Sequence, residues 1–180
     1  MGRHHPLAIT NRGEDQMFRK IAFGATFATA LMMGSMAHAG YDEGKALYEQ
    51  GKLNEALQEF VQAGGNGDVE AVYRAALMFE AREGTAKDDA EAITKAADWF
   101  QTAARAGHKA AMKTLASMFA DGRGKPQDPV QAWAILQIAA ERGDQEAAAQ
   151  RDALAETMRP GQLEAGKRRH GKIVDTYQGS

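Results

Sequence analysis

The sequence predicts an all-α protein, an α/α solenoid of about three helical hairpins with a C-terminal capping helix. Three observations carry this. The apolar class, 44% of the chain, is mostly alanine rather than valine or isoleucine, and alanine loses no side-chain entropy in a helix. Only four prolines occur and β-branched runs are nearly absent. A pattern of glycine, alanine and aromatic positions returns every 36 to 40 residues, the signature of stacked supersecondary units.

The repeat is anchored on glycine. Gly67-Asp68-Val69-Glu70-Ala71 matches Gly143-Asp144-Gln145-Glu146-Ala147, and Gly107-His108-Lys109-Ala110-Ala111 lies between them. Eleven positions before each glycine stand Ala56, Ala96 and Ala132. Seven before stand Phe60, Phe100 and Leu136, and four before stand Ala63, Ala103 and Ala139. Phe79 and Phe119 keep the same phase beyond Ala71 and Ala111. A glycine that adopts a left-handed conformation ends one helix. The following Asp68 or Asp144 caps the next by accepting from its free amides. Alanines at fixed phase let helices approach closely, and the larger residues fill the space between hairpins.

These positions predict helices at 41–50 with 53–64, 68–82 with 88–106, and 109–121 with 128–142, followed by 144–158. The second unit is longer by four residues between Phe79 and Ala96 than the third between Phe119 and Ala132. The insertion is expected to lengthen the turn or the start of the helix after it. Pro160 suits the first turn of a further helix, which would seal the open end of the stack.

The amino-terminal part reads as an address. Arg19 and Lys20 precede an uncharged, mostly apolar run from Ile21 to Met36, and Ala37-His38-Ala39 supplies small residues for cleavage between Ala39 and Gly40. The run is shorter than the ~20 residues of a spanning helix. Residues 17–39 are therefore expected to be a cleavable signal peptide. Residues 1–16 read as an overextended start, 40–158 as the repeat domain and 159–180 as capping helix plus basic tail. The product is expected in a bacterial periplasm or outside the cell, with no stable membrane anchor. The chain has no cysteine, which excludes disulfides, thiolate metal sites and cysteine nucleophiles. A formal net charge of −2 exerts no global pull toward nucleic acid.

The stretch Met118-Phe119-Ala120-Asp121-Gly122-Arg123-Gly124-Lys125-Pro126-Gln127-Asp128, with Ala132, Ala139-Ala140 and Gly143, resembles the Sel-one-like repeat family, relatives of the tetratricopeptide repeats. Ile135 stands where that family usually has tryptophan or tyrosine, with Trp133 nearby. The second unit resembles it in Ala96, Trp99, Ala103-Ala104 and Gly107, but its loop from Ala81 to Asp88 departs from the two-glycine pattern. The first unit, Gly44 to Leu57, looks more like an ordinary tetratricopeptide hairpin. The resemblance spans about 41–158. It implies an α/α solenoid that binds another protein, without cofactor or covalent chemistry. Other exported members are rich in cysteine, and this chain differs from them.

No HExxH, Walker loop or GxSxG is present, and Gly122-Arg123-Gly124-Lys125 lacks the Walker spacing and the hydroxyl residue after lysine. His108 occupies the capping slot of Asp68 and Asp144 and reads as a surface helix-start residue; no metal site is expected. Trp99 and Trp133 read as packing between repeats. Lys167-Arg168-Arg169-His170 reads as a solvated, frayed end. The first helix of each pair is expected to line a concave face, where Tyr73, Arg74, Met112 and Lys113 are the candidate protein-binding residues. The expected function is a non-catalytic adaptor of the cell envelope. Regulation of a cell-wall-remodelling enzyme, or secretion to act on another cell, are the alternatives.

Overall fold

The computed structural model describes residues 40–84 and 89–177. The signal peptide read over 17–39 and the segment before it lie outside these residues. Among the described residues there is no strand, and no helix is long and apolar enough to cross a membrane. Helix α1 covers residues 40–49. It is followed by α2 (Leu53–Gly65), α3 (Val69–Ala81), α4 (Asp89–Arg105), α5 (Lys109–Asp121), α6 (Pro129–Glu141), α7 (Gln145–Thr157) and α8 (Pro160–Ile173). A 3₁₀ turn, Val174–Tyr177, ends the description. Each helix packs on the next from α2 through α7, as a solenoid of hairpins requires.

The junctions between hairpins repeat closely. Gly67, Gly107 and Gly143 have φ of 96°, 89° and 83°, a region where a Cβ would be strained. Each glycine turns the chain so that the next residue's amide donates back to a buried alanine. Asp68 donates to Ala63 at 3.1 Å, His108 to Ala103 at 3.0 Å and Asp144 to Ala139 at 3.2 Å. That same residue then caps the following helix. Asp68 accepts from Ala71 at 2.9 Å, His108 from Ala111 at 3.2 Å and Asp144 from Ala147 at 3.0 Å. One residue thus satisfies the end of one helix and the start of the next.

The core follows the sequence phases. Ala56, Ala96 and Ala132 are fully buried, as are Ala103 and Ala139. Phe60, Phe100 and Leu136 fill the space between them and are also buried. Phe79 stacks on Trp99 with ring centroids 6.2 Å apart. A buried aromatic of this size stabilises by roughly 1.5–3 kcal/mol.

The four-residue insertion lies wholly in a helix. Helix α4 has 17 residues and its counterpart α6 has 13, while seven residues separate α3 from α4 and seven separate α5 from α6. At positions 82 and 84 the second unit keeps the backbone of the two-glycine pattern with one glycine replaced. Arg82 takes the slot of Gly122 and its backbone, at φ 60°, against 73°. Gly84 keeps the slot of Gly124, with φ of 68° and 67°. Both of these glycines press on the preceding unit. An added Cβ would lie 2.3 Å from the Leu53 carbonyl oxygen at Gly84 and 2.4 Å from that of Ile93 at Gly124.

The carboxyl-terminal segment differs from expectation. Helix α8 does not pair with α7 but folds back on α6. Gly166 makes this possible, since a Cβ there would stand 3.0 Å from the Trp133 ring. The basic run is not frayed. Arg169 donates to Gln131 at 2.6 Å and His170 meets Glu141 at 2.9 Å, so half of the cluster is turned inward as a latch on α6. Tyr177 is 2% exposed. Burial raises its hydroxyl pKa, against the opposing influence of Arg105 and Gln131. The sequence reading did not anticipate this plug, because one tyrosine beyond the last repeat carries no periodic signal.

Gly84→Ala and Gly124→Ala are each expected to lower the unfolding free energy by about 2–4 kcal/mol, through left-handed strain and a backbone clash. Gly65→Ala, in a helix end with open space around it, is expected to be neutral or slightly stabilising. Urea denaturation of the three variants measures this.

Candidate functional site

The first helices α1, α3, α5 and α7 share one face, and two grooves run along it. One lies across α3, α5 and α7, is lined by Tyr73, Lys113, Ser117, Arg123, Gln150 and Leu154, and encloses about 610 Å³. The other lies between α1 and α3, is lined by Lys45, Tyr48, Glu49, Arg74, Leu77 and Glu83, and encloses about 530 Å³. Volumes of this size admit several side chains of a bound segment. The second groove has the more apolar floor, with Phe60, Leu77 and Met78. Tyr48, 42% exposed, stands at its edge as the exposed large hydrophobic residue of the described chain. Its hydroxyl donates to Glu83 at 2.9 Å, and this bond raises the tyrosine's pKa.

The four residues proposed from sequence have three different fates. Met112 is fully buried and cannot reach a partner: its position on α5 matches that of Val72 on α3, which is also core. Assigning it to the binding face was an error of one residue in helical phase. Arg74 is exposed at the second groove and paired with Glu70 one turn earlier at 3.3 Å. Tyr73 and Lys113 do line the first groove, but each also ties its unit to the next.

These two ties use one slot, six residues after the junction glycine. Tyr73 stacks on His108, the next unit's cap, with centroids 4.2 Å apart and planes 26° apart. Lys113 reaches the next cap, Asp144, at 3.3 Å and also pairs with Glu146. The bond to Glu146 is the main reason the Lys113 pKa is raised. Asp144 is held below the ordinary carboxylate value first by the Ala147 amide and then, against the opposing effect of burial, by Lys113. Sequence reasoning missed this pairing because the slot holds unlike chemistries, tyrosine with histidine and lysine with aspartate. His108 is correspondingly not a free surface group, being bonded, stacked and half-buried.

Around the grooves most charges are already neutralised within the chain. Arg123 bridges to Glu80 at 2.9 Å and Lys125 pairs with Asp98, tying the third unit's loop to the second. Lys45 and Glu49 stand exposed at the second groove. Among the described residues no three or more of His, Cys, Asp and Glu converge as metal ligands would.

The architecture is that of an α/α repeat solenoid. Residues 69–108 and 109–144 each match the Sel1 repeat, the repeat unit of the Sel1-like repeat proteins. Those proteins are generally protein-interaction scaffolds, typically non-catalytic. A protective antigen present in uropathogenic Escherichia coli strains, displaying an SLR fold, superposes with a TM-score of 0.69 at 23% identity over 78% of this chain and 30% of its own. A Sel1 repeat protein from Oxalobacter formigenes does so with a TM-score of 0.54 at 23% identity over 73% of this chain and 53% of its own. The chain thus spans 30% and 53% of the lengths of these structures, and the likeness is one of fold. No curated protein matches the chain significantly.

The Asp144 cap yields a pH prediction. A depressed folded pKa means stability that is fully present above the unfolded value and is lost as pH falls through the folded one. Asp144→Ala is expected to cost about 1 kcal/mol at neutral pH. That difference is expected to shrink below about pH 4, as the native carboxylate takes up its proton. Thermal denaturation of both proteins across pH 2.5 to 7 tests the sign.

Proposed function

We propose that this chain is a non-catalytic adaptor of the bacterial cell envelope that holds a protein partner along its first-helix face. The carrying observation is the pair of grooves on that face, one of them apolar-floored and edged by Tyr48. A solenoid uses such a continuous surface to bind extended or folded segments. The leader-like pattern of residues 17–39 supports an envelope location, with the working protein beginning at Gly40. Binding is reversible and involves no bond making. Of the residues first singled out, Arg74 and Tyr73 remain on the binding surface, whereas Lys113 acts there mainly by fixing the groove wall.

The test is capture from periplasmic extract by protein starting at Gly40. Tyr48→Ala is expected to weaken capture by about tenfold, the size of an interface anchor. Ser117→Arg, which fills the other groove from an exposed position, is expected to weaken it as well. Both variants should melt within a few degrees of the native protein, since neither residue is in the core. Equal capture by native and doubly substituted protein contradicts the assignment of this face. An absence of the protein from the periplasmic fraction contradicts the location.

A further inference from the structure

Among the described residues, three of the four helix caps with side-chain acceptors are aspartates, at 68, 128 and 144, and the fourth, at the central junction, is His108. The geometry fixes its tautomer. Nδ1 lies 3.2 Å from the Ala111 amide, which can only donate, so Nδ1 carries the lone pair. The proton then sits on Nε2, which donates to Glu70 Oε2 at 3.1 Å. The ring is held between these two bonds by stacking on Tyr73. We infer that His108 is a proton-responsive joint between the second and third repeats, in which protonation releases the cap of α5 while strengthening the tie to α3.

Protonation adds a hydrogen at Nδ1, the one atom that must accept. The Ala111 amide then faces a donor and a positive charge at a helix start, where positive charge is unfavourable. At Nε2 the effect is opposite, because the bond to Glu70 becomes an ion pair. Glu70 also pairs with Arg74, so the joint is shared among three side chains of α3 with Tyr73. On the adjoining elements, Lys109 is the next residue, its ammonium donating to the Arg142 carbonyl at 3.0 Å. Arg105, at the end of α4, lies close enough to Tyr177 to lower its hydroxyl pKa against burial. Neither replaces the lost acceptor. Because the two effects act on different helices, acid loosens the first turn of α5 without separating the repeats. That turn carries Ala110 and leads into Lys113, both of which line the first groove, so acidity acts on the groove's wall. The aspartate caps present carboxyl oxygens and no ring nitrogen, so they lack this switch.

Nitrogen-15 NMR of the Gly40–Ser180 protein tests this, together with amide exchange between pH 7.5 and 5.5. At pH 7.5 the His108 ring should show the Nε2-protonated form. On acidification the protection of the Ala111 amide should fall about fivefold, the factor of a single cap, while Ala71 and Ala147 keep theirs. His108→Asp should hold Ala111 protection constant. Glu70→Gln should leave the loss at Ala111 in place and lower the melting temperature in acid, because the compensating ion pair is gone. A neutral ring protonated on Nδ1, or an Ala111 protection that follows Ala71 and Ala147, overturns the proposal.

Discussion

The rest of the structure depends on a junction in which a left-handed glycine is followed by a residue that serves two helices at once. At Gly67, Gly107 and Gly143 the turn is too short for loop residues to satisfy the helix ends. The residue after each glycine donates its amide backward and accepts with its side chain forward. This fixes the angle at which each hairpin meets the next, and the buried alanines can then sit at close approach. A helix start buried without such an acceptor would leave several amides unsatisfied.

The same junction also organises the surface. Because the capping residue lies beside the first helix of the preceding unit, the slot six residues after the earlier glycine can reach it. Tyr73 and Lys113 occupy that slot and bind chemically matched caps. The first-helix face is therefore held in register from unit to unit by side chains that also line its groove. The opposite side is closed differently: α8 lies on α6, Trp133 is covered at Gly166, and Tyr177 is inserted as a plug. The first-helix face carries the two larger grooves, and a third, of about 500 Å³, lies beside α8 between Trp133, Arg151 and Lys167.

Much of the fold was legible in the sequence. Glycine, alanine and aromatic phases set the helices to within two residues, because each class answers a distinct physical demand: positive φ, close approach and volume. The loop at Arg82 was less legible, since a non-glycine residue there takes the same left-handed backbone as Gly122. The candidate site was legible only in part. The first-helix placement of Tyr73, Arg74 and Lys113 followed from the repeat, but Met112 was assigned one position off the outward stripe. The ties at His108 and Asp144 could not be read from spacing, because contacts between residues 35 or so positions apart in unlike pairs leave no periodic trace. The basic tail was misjudged for a related reason. Charge runs at chain ends are usually solvated, and only the position of Gln131 and Glu141 on α6, with Asp128 as its cap, shows why Arg169 and His170 turn inward.

The central claim is that the first-helix face is the one that holds a partner. The most direct measurement is a map of backbone amide shifts in labelled protein as a captured partner is titrated in. The account predicts that the changes concentrate on α1, α3, α5 and α7, strongest around Tyr48, Leu77 and Ser117. Changes confined to α2, α4, α6 and α8, with the first helices unmoved, would contradict it.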